Sequence, residues 1–172
     1  ATFTLRGVTI GINFHWERKE DETFEGALRL LPNADGTITA INDAGVEQYL
    51  KSVISSEMSA TAPIELLRAH AITSRSWLVA MLERQKRFKN VGGPARRGRE
   101  SEQEIVRWYD REDHKLFDVC ADDHCQRYHG ITKIISPAAA QAVQDTRGVF
   151  LVHGGEICDA RYSKSCGGRS EA

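Results

Sequence analysis

Glu57 is an acid in an apolar setting. Val46, Tyr49, Leu50, Val53 and Ile54 recur at helical spacing, and Glu57 follows Val46 by eleven residues, about three turns on, along the same stripe. A carboxylate aimed at a core costs free energy unless it is paired or used. The paired reading has ready partners, because Arg68 and Arg75 lie seven residues apart on one face of the next expected helix, with Ile72 between them. The used reading makes Glu57 a general acid. Nearby arginines would favour its carboxylate and burial its protonated form, so the residue pattern leaves both readings open.

A second set of reactive side chains follows downstream. His114-x5-Cys120-x3-His124-Cys125 puts two imidazoles and two thiols within twelve residues. Two Cys and two His form a common tetrahedral zinc set, and a closed set of four leaves no position for an activated water, so a metal here would staple a loop. The alternative is a disulfide with two surface histidines. Cys158 and Cys166 flank Arg161-Tyr162-Ser163-Lys164 at a separation of eight residues. They either bridge or stay as two thiols, and zinc on Cys120 and Cys125 would leave them as the natural pair.

The elements that must hold these residues are legible in part. Thr2 to Ile12 alternates in part as a strand, Phe24 to Leu31 is an apolar run, and the turn Asn33-Ala34-Asp35-Gly36 precedes a strand from Thr37 to Ile41. One helix is expected from about Gly45 to Ser56. A second is opened by Pro63, runs to about Arg87 and is broken by Val91-Gly92-Gly93-Pro94. Ser136-Pro137 reads as the cap and first position of an alanine-rich helix that stops before Gly148. Val149 to Val152 and Glu156 to Tyr162 form a hairpin through Gly154-Gly155. Strands, two consecutive helices, a further helix and a hairpin make an α+β fold.

Composition excludes some classes of partner. The 172 residues, 41% of them hydrophobic, suit a single domain over 1–172 with a substantial core. Lys and Arg total 23 against 24 for Asp and Glu, which leaves no net field to attract nucleic acid or an anionic membrane. The seven basic residues from Arg84 to Arg99 are followed at once by Glu100, Glu102 and Glu104, and they read as a solvated loop rather than a polyanion site. No apolar run is long enough to span a bilayer, and no signal peptide opens the chain, so Ala1 is expected to follow a removed or separate segment.

Tyr49-Leu50-x-x-Val53-x-x-Ser56-Glu57-Met58, then Pro63, then Leu66-Leu67-Arg68-Ala69-x-Ala71-Ile72-x-x-Arg75-Ser76-Trp77 resembles the SpoIID family of peptidoglycan-acting proteins. Phe117-Asp118-Val119-Cys120, Cys125-Gln126-Arg127-Tyr128-His129-Gly130 and Ala160-Arg161-Tyr162-Ser163-Lys164-Ser165-Cys166-Gly167-Gly168 extend the resemblance in order. The family contains sporulation lytic transglycosylases and relatives called amidase enhancers. It continues past the Cys-Gly-Gly, so part of the usual domain is expected beyond Ala172.

The resemblance implies an extracytoplasmic protein and makes Glu57 the catalytic acid. The implied reaction cleaves peptide-free glycan strands between N-acetylmuramic acid and N-acetylglucosamine, leaving 1,6-anhydro ends. The sugar's own 6-hydroxyl attacks, so one Glu can act first as acid and then as base. A hydrolase would want a second carboxylate, with Asp118, Glu156 and Asp159 as the candidates. Some relatives carry zinc on residues like His114, Cys120, His124 and Cys125, as a structural cofactor. Arg68, Arg75, Gln126, Tyr128, Tyr162 and Lys164 become expected substrate contacts, although Arg68 and His70 stand where the family has Lys and Gln. The alternative implied by the amidase enhancers is a non-catalytic module that binds peptidoglycan or stimulates a cell-wall amidase.

Overall fold

A computed structural model describes residues 1–91, 99–100, 105–106, 114–122 and 124–163. The expected α+β mixture is present, with one strand the apolar pattern does not announce. β1 (Thr2–Ile10) pairs antiparallel with β2 (Arg18–Glu25), and β3 (Ala27–Pro32) with β4 (Ile38–Asp43). β2 reads Arg-Lys-Glu-Asp-Glu-Thr-Phe-Glu, so its inward positions are masked by charge: Glu22 and Phe24 are both buried. The run from Phe24 to Leu31 is therefore two strands. Gly26 turns between them at φ +110°, and a Cβ there would lie 2.6 Å from the Asp43 carbonyl oxygen.

α1 (Val46–Ile54) buries Tyr49, Leu50, Val53 and Ile54, whereas Val46, at 37% exposed, stands outside the stripe. The expected helix to Ser56 instead widens into a π-helical turn over Ser55–Ser59. The Ser55 hydroxyl donates to the Lys51 carbonyl four residues back, a bond that competes with regular helix pairing at this point. α2 (Ile64–Val91) starts just after Pro63 and outlasts its expected end at Arg87. α3 (Pro137–Asp145) begins as expected, with the Ser136 hydroxyl accepting from the Ala138 N–H. β5 (Arg99–Glu100) pairs with β6 (Ile105–Val106). β7 (Val152–His153) pairs with β8 (Glu156–Ile157) across Gly154-Gly155, both at positive φ, and the second strand ends well before Tyr162. No described helix is long and apolar enough to cross a membrane.

The three helices enclose the core, with Leu50, Val53 and Ile54 meeting Leu67, Ala71, Leu78 and Met81 of α2 and Ala139, Ala142 and Val143 of α3. Arg75, 1% exposed, sits among them. Its guanidinium grips Glu47 in the first turn of α1 through two bonds of 2.7 and 3.1 Å. It also donates to the Val143 carbonyl near the end of α3 and the Val149 carbonyl beyond it. One cation thus satisfies carbonyls at a helix C-terminus, where positive charge is favoured, and a carboxylate at a helix N-terminus, where negative charge is favoured.

The β1–β2 hairpin is sutured to the segment 129–133. The Ile131 N–H donates to the Thr23 carbonyl, the Thr132 hydroxyl accepts from the Thr23 N–H, and Glu22 meets the His129 ring at 2.8 Å. Gly130 at φ +55° lies flat on this strand, since a Cβ there would sit 2.2 Å from the Thr23 carbonyl oxygen. Substituting Arg75 by Met should leave Glu47 and two carbonyls without their donor. Chemical unfolding is expected to show a loss of about 1–3 kcal/mol, the range for buried acceptors left without a donor, because Glu47 is 31% exposed and can turn to water; an unchanged stability would refute the clamp.

Candidate active site

The π-helical turn carries Glu57 off the core stripe and onto the wall of a cleft of ≈ 230 Å³. The other walls come from Met58, Trp77 of α2, Cys125-Gln126 and Arg161-Tyr162-Ser163. Glu57 Oε1 accepts a hydrogen bond of 2.8 Å from the Arg127 backbone N–H, which fixes the carboxylate against the loop. Gln126 is 2% exposed and donates from Nε2 to the Tyr162 hydroxyl at 3.2 Å. The edge of His70 meets the Tyr162 ring with centroids 4.6 Å apart. Burial pushes the Tyr162 phenol up to about 12, so it is a neutral hydrogen-bonding group near neutral pH.

Among the described residues, Glu57 is the one carboxylate lining this cleft. Asp159 is paired with Arg84 and Arg161, Glu156 with Arg87, and Asp118 lies on a different groove. The cleft is smaller than the roughly 300–1,000 Å³ usual for small-molecule pockets. A polymeric ligand would therefore place only a short stretch inside it.

Several expected site residues are elsewhere. Arg75 pairs with Glu47, not with Glu57, because seven-residue spacing on α2 says which face two residues share and nothing of which helix end that face meets. Arg68 bonds Asp145 and Glu65 at the surface, tying α2 to the last residue of α3. Tyr128 stacks on Tyr49 and packs against Phe24, and its hydroxyl donates to Asn42, so it belongs to the packing under the loop rather than to the cleft. Lys164 and Cys166 lie outside the described residues.

Gln126 and Tyr162 do join Glu57. Trp77, 6% exposed and packed in the core, also lines the cleft. The residue pattern missed the Arg127 N–H altogether, since a backbone donor leaves no trace in residue type.

His114, Cys120, His124 and Cys125 converge, with one ligand atom from each lying within 4.8 Å of all the others. Cys125 Sγ is 3.4 Å from His114 Nε2 and 3.5 Å from His124 Nδ1, and no disulfide joins the two cysteines. Hydrogen bonding from Cys125, against the opposing effect of burial, pulls the Cys120 thiol down to about 4. Two thiols, one already favouring thiolate, and two imidazoles are a donor set that fits zinc. Cys125 belongs both to this cluster and to the cleft wall, and Gln126 follows it directly.

The SpoIID family, described as a stage II sporulation protein, matches residues 34–153, and the chain belongs to it. Cell-wall lysis is the function associated with that family. An uncharacterized protein of Brachyspira hyodysenteriae is 27% identical over 150 residues, which is 87% of this chain and 33% of that relative. The chain thus spans about a third of the relative's length. No solved structure matches it.

His70 carries a pH signature. Both its ring nitrogens are buried without a hydrogen-bond partner among the described residues, and burial pulls its pKa from 6.5 down to about 4. Between those values the unfolded chain binds the proton that the folded chain refuses, so this contribution is complete above pH 6.5 and is lost as pH falls toward 4. Replacing His70 by Gln is expected to remove up to roughly 3 kcal/mol of that acid sensitivity. Denaturant melts of both proteins at pH 7 and pH 4 would show it; parallel losses in the two proteins would contradict it.

Proposed function

We propose that the chain is a peptidoglycan lytic transglycosylase acting outside the cytoplasmic membrane on glycan strands freed of stem peptides. The observation that carries this reading is a cleft whose described walls contain one carboxylate, Glu57, held in place by a backbone N–H. A hydrolase of the usual kind needs a second carboxylate across the scissile bond. Intramolecular attack by the muramyl 6-hydroxyl does not. Glu57 would protonate the glycosidic oxygen as the bond to N-acetylglucosamine breaks, then take the proton from the 6-hydroxyl as the anhydro ring closes. Tyr162 and Gln126 would supply hydrogen bonds to the bound sugar, with Trp77 as apolar surface beside them.

Zinc held by His114, Cys120, His124 and Cys125 would serve structure rather than chemistry, since four protein ligands fill a tetrahedral site. Its place next to Gln126 would let it stiffen the loop that holds Glu57. Protein purified without chelators is expected to contain zinc, and Cys125→Ser to lose both the metal and thermal stability. Full-strength folding and no metal in the wild-type chain would remove this part of the account.

Glu57→Gln tests the catalytic assignment. The amide keeps an acceptor for the Arg127 N–H but has no proton to donate, so cleavage of peptide-free strands should fall about 10²–10⁴-fold while strand binding survives. Equal rates in variant and wild type would refute Glu57 as the acid. Strand binding with no cleavage in either would instead fit a non-catalytic module that stimulates a cell-wall amidase.

A further inference from the structure

The turn joining β1 to β2 holds an aromatic stack that neither the core nor the cleft uses. Phe14 and Trp16 lie nearly parallel, 16° apart with centroids at 5.2 Å. The Arg127 guanidinium covers the Trp16 ring at 4.7 Å, and Arg18 approaches it at 5.9 Å. Trp16 also rests on Gly11, where a Cβ would come within 2.2 Å of the indole. Phe14, at the far end of the stack, remains 51% exposed.

A single exposed apolar side chain is ordinary and needs no explanation. Phe14 is set apart by how firmly it is presented. Asn13 is the one described non-glycine residue at positive φ, at 66°, and its N–H is held by the Glu17 carboxylate at 2.8 Å. The Phe14 N–H donates to the Gly11 carbonyl and the Glu17 N–H to the Phe14 carbonyl. An internally bonded turn thus holds the Phe14 backbone, and the stack on Trp16 supports its ring from one side.

The stack is also tied to the cleft. Arg127, whose side chain covers Trp16, is the residue whose backbone N–H holds Glu57. The cleft takes only a short stretch of a strand, so its further sugar rings would be left to pack on the surface around Arg127. Pyranose rings present an apolar C–H face that packs on aromatic planes, and a fixed ring loses little entropy on binding.

We propose that Phe14, backed by Trp16 and Arg127, forms a second saccharide subsite that takes a sugar ring of the same strand some way along from the bond at Glu57. This inference rests on the lytic reading for the identity of the ligand. The subsite would make affinity grow with strand length, and would hold a polymer in register while its scissile bond sits at Glu57.

Calorimetric titration of the Glu57→Gln protein with peptide-free glycan strands of increasing length tests it. Affinity should rise with length. Adding Phe14→Ala should weaken binding of long strands about tenfold, with the loss growing as strands lengthen. Phe14→Tyr, which keeps the plane, should restore most of it, whereas Phe14→Leu should not. Long-strand affinity unaltered by Phe14→Ala, with that protein folded and Glu57-dependent cleavage intact in the parent, would overturn the subsite and leave the lytic reading standing. Phe14-dependent binding in a chain that cleaves nothing would keep the subsite and discard that reading. No binding to strands of any length would overturn both.

Discussion

The grip of the buried Arg75 on the partly exposed Glu47 is the constraint from which the rest of the arrangement follows. An arginine almost wholly removed from water is tolerable only if every donor finds an acceptor, and those acceptors come from α1, from the end of α3 and from the segment after it. The three elements therefore have little freedom to slide past one another. With α1 locked at its N-terminus, the position of its other end is set as well, and that end carries the π-helical turn and Glu57. α2, locked at Arg75, presents Trp77 two residues further on to the same cleft.

The opposite wall is a loop rather than a helix, and it is held from both sides. Its Arg127 N–H binds Glu57, and the next residue, Tyr128, is wedged between Tyr49 and Phe24 with its hydroxyl on Asn42. The two residues after that are fastened to β2 by the Glu22–His129 contact and by the close approach of Gly130 to Thr23. Sites built on supported elements hold their geometry better than sites on free loops. Here the packing under the loop does what the helix backbone does on the other side. The Cys and His cluster ends at Cys125, one residue upstream of Gln126, so a metal bound there would brace the remaining end of the loop.

Legibility in the sequence tracked the range of the interaction. α1, α2 and α3 were readable because their apolar spacing, Pro63 and the Ser136-Pro137 cap are all local. Glu57 stood out because an acid on an apolar stripe is a local contradiction, and the four metal-type ligands because they are close in sequence. β2 was hidden, since Glu22 at an inward position reads as surface until His129, 107 residues away, is in place. The same distance problem hid the partners of Arg68, Arg75 and Tyr128, whose residue types suit a sugar site, because Asp145, Glu47 and Asn42 come from elements remote in the chain. The π-helical turn has no compositional mark beyond a serine pair, yet it decides that Glu57 meets the cleft.

Under the proposed lytic reading Glu57, the one carboxylate on the described walls of the cleft, would break the glycan without water. The most direct measurement is mass analysis of the fragments released from peptide-free strands digested in ¹⁸O-labelled water. The account requires fragments ending in 1,6-anhydro-N-acetylmuramic acid, lighter than hydrolysis products by one water and free of label, because the sugar's own hydroxyl is the nucleophile. Fragments with reducing ends that carry the solvent label would contradict it and would demand a second carboxylate in the cleft.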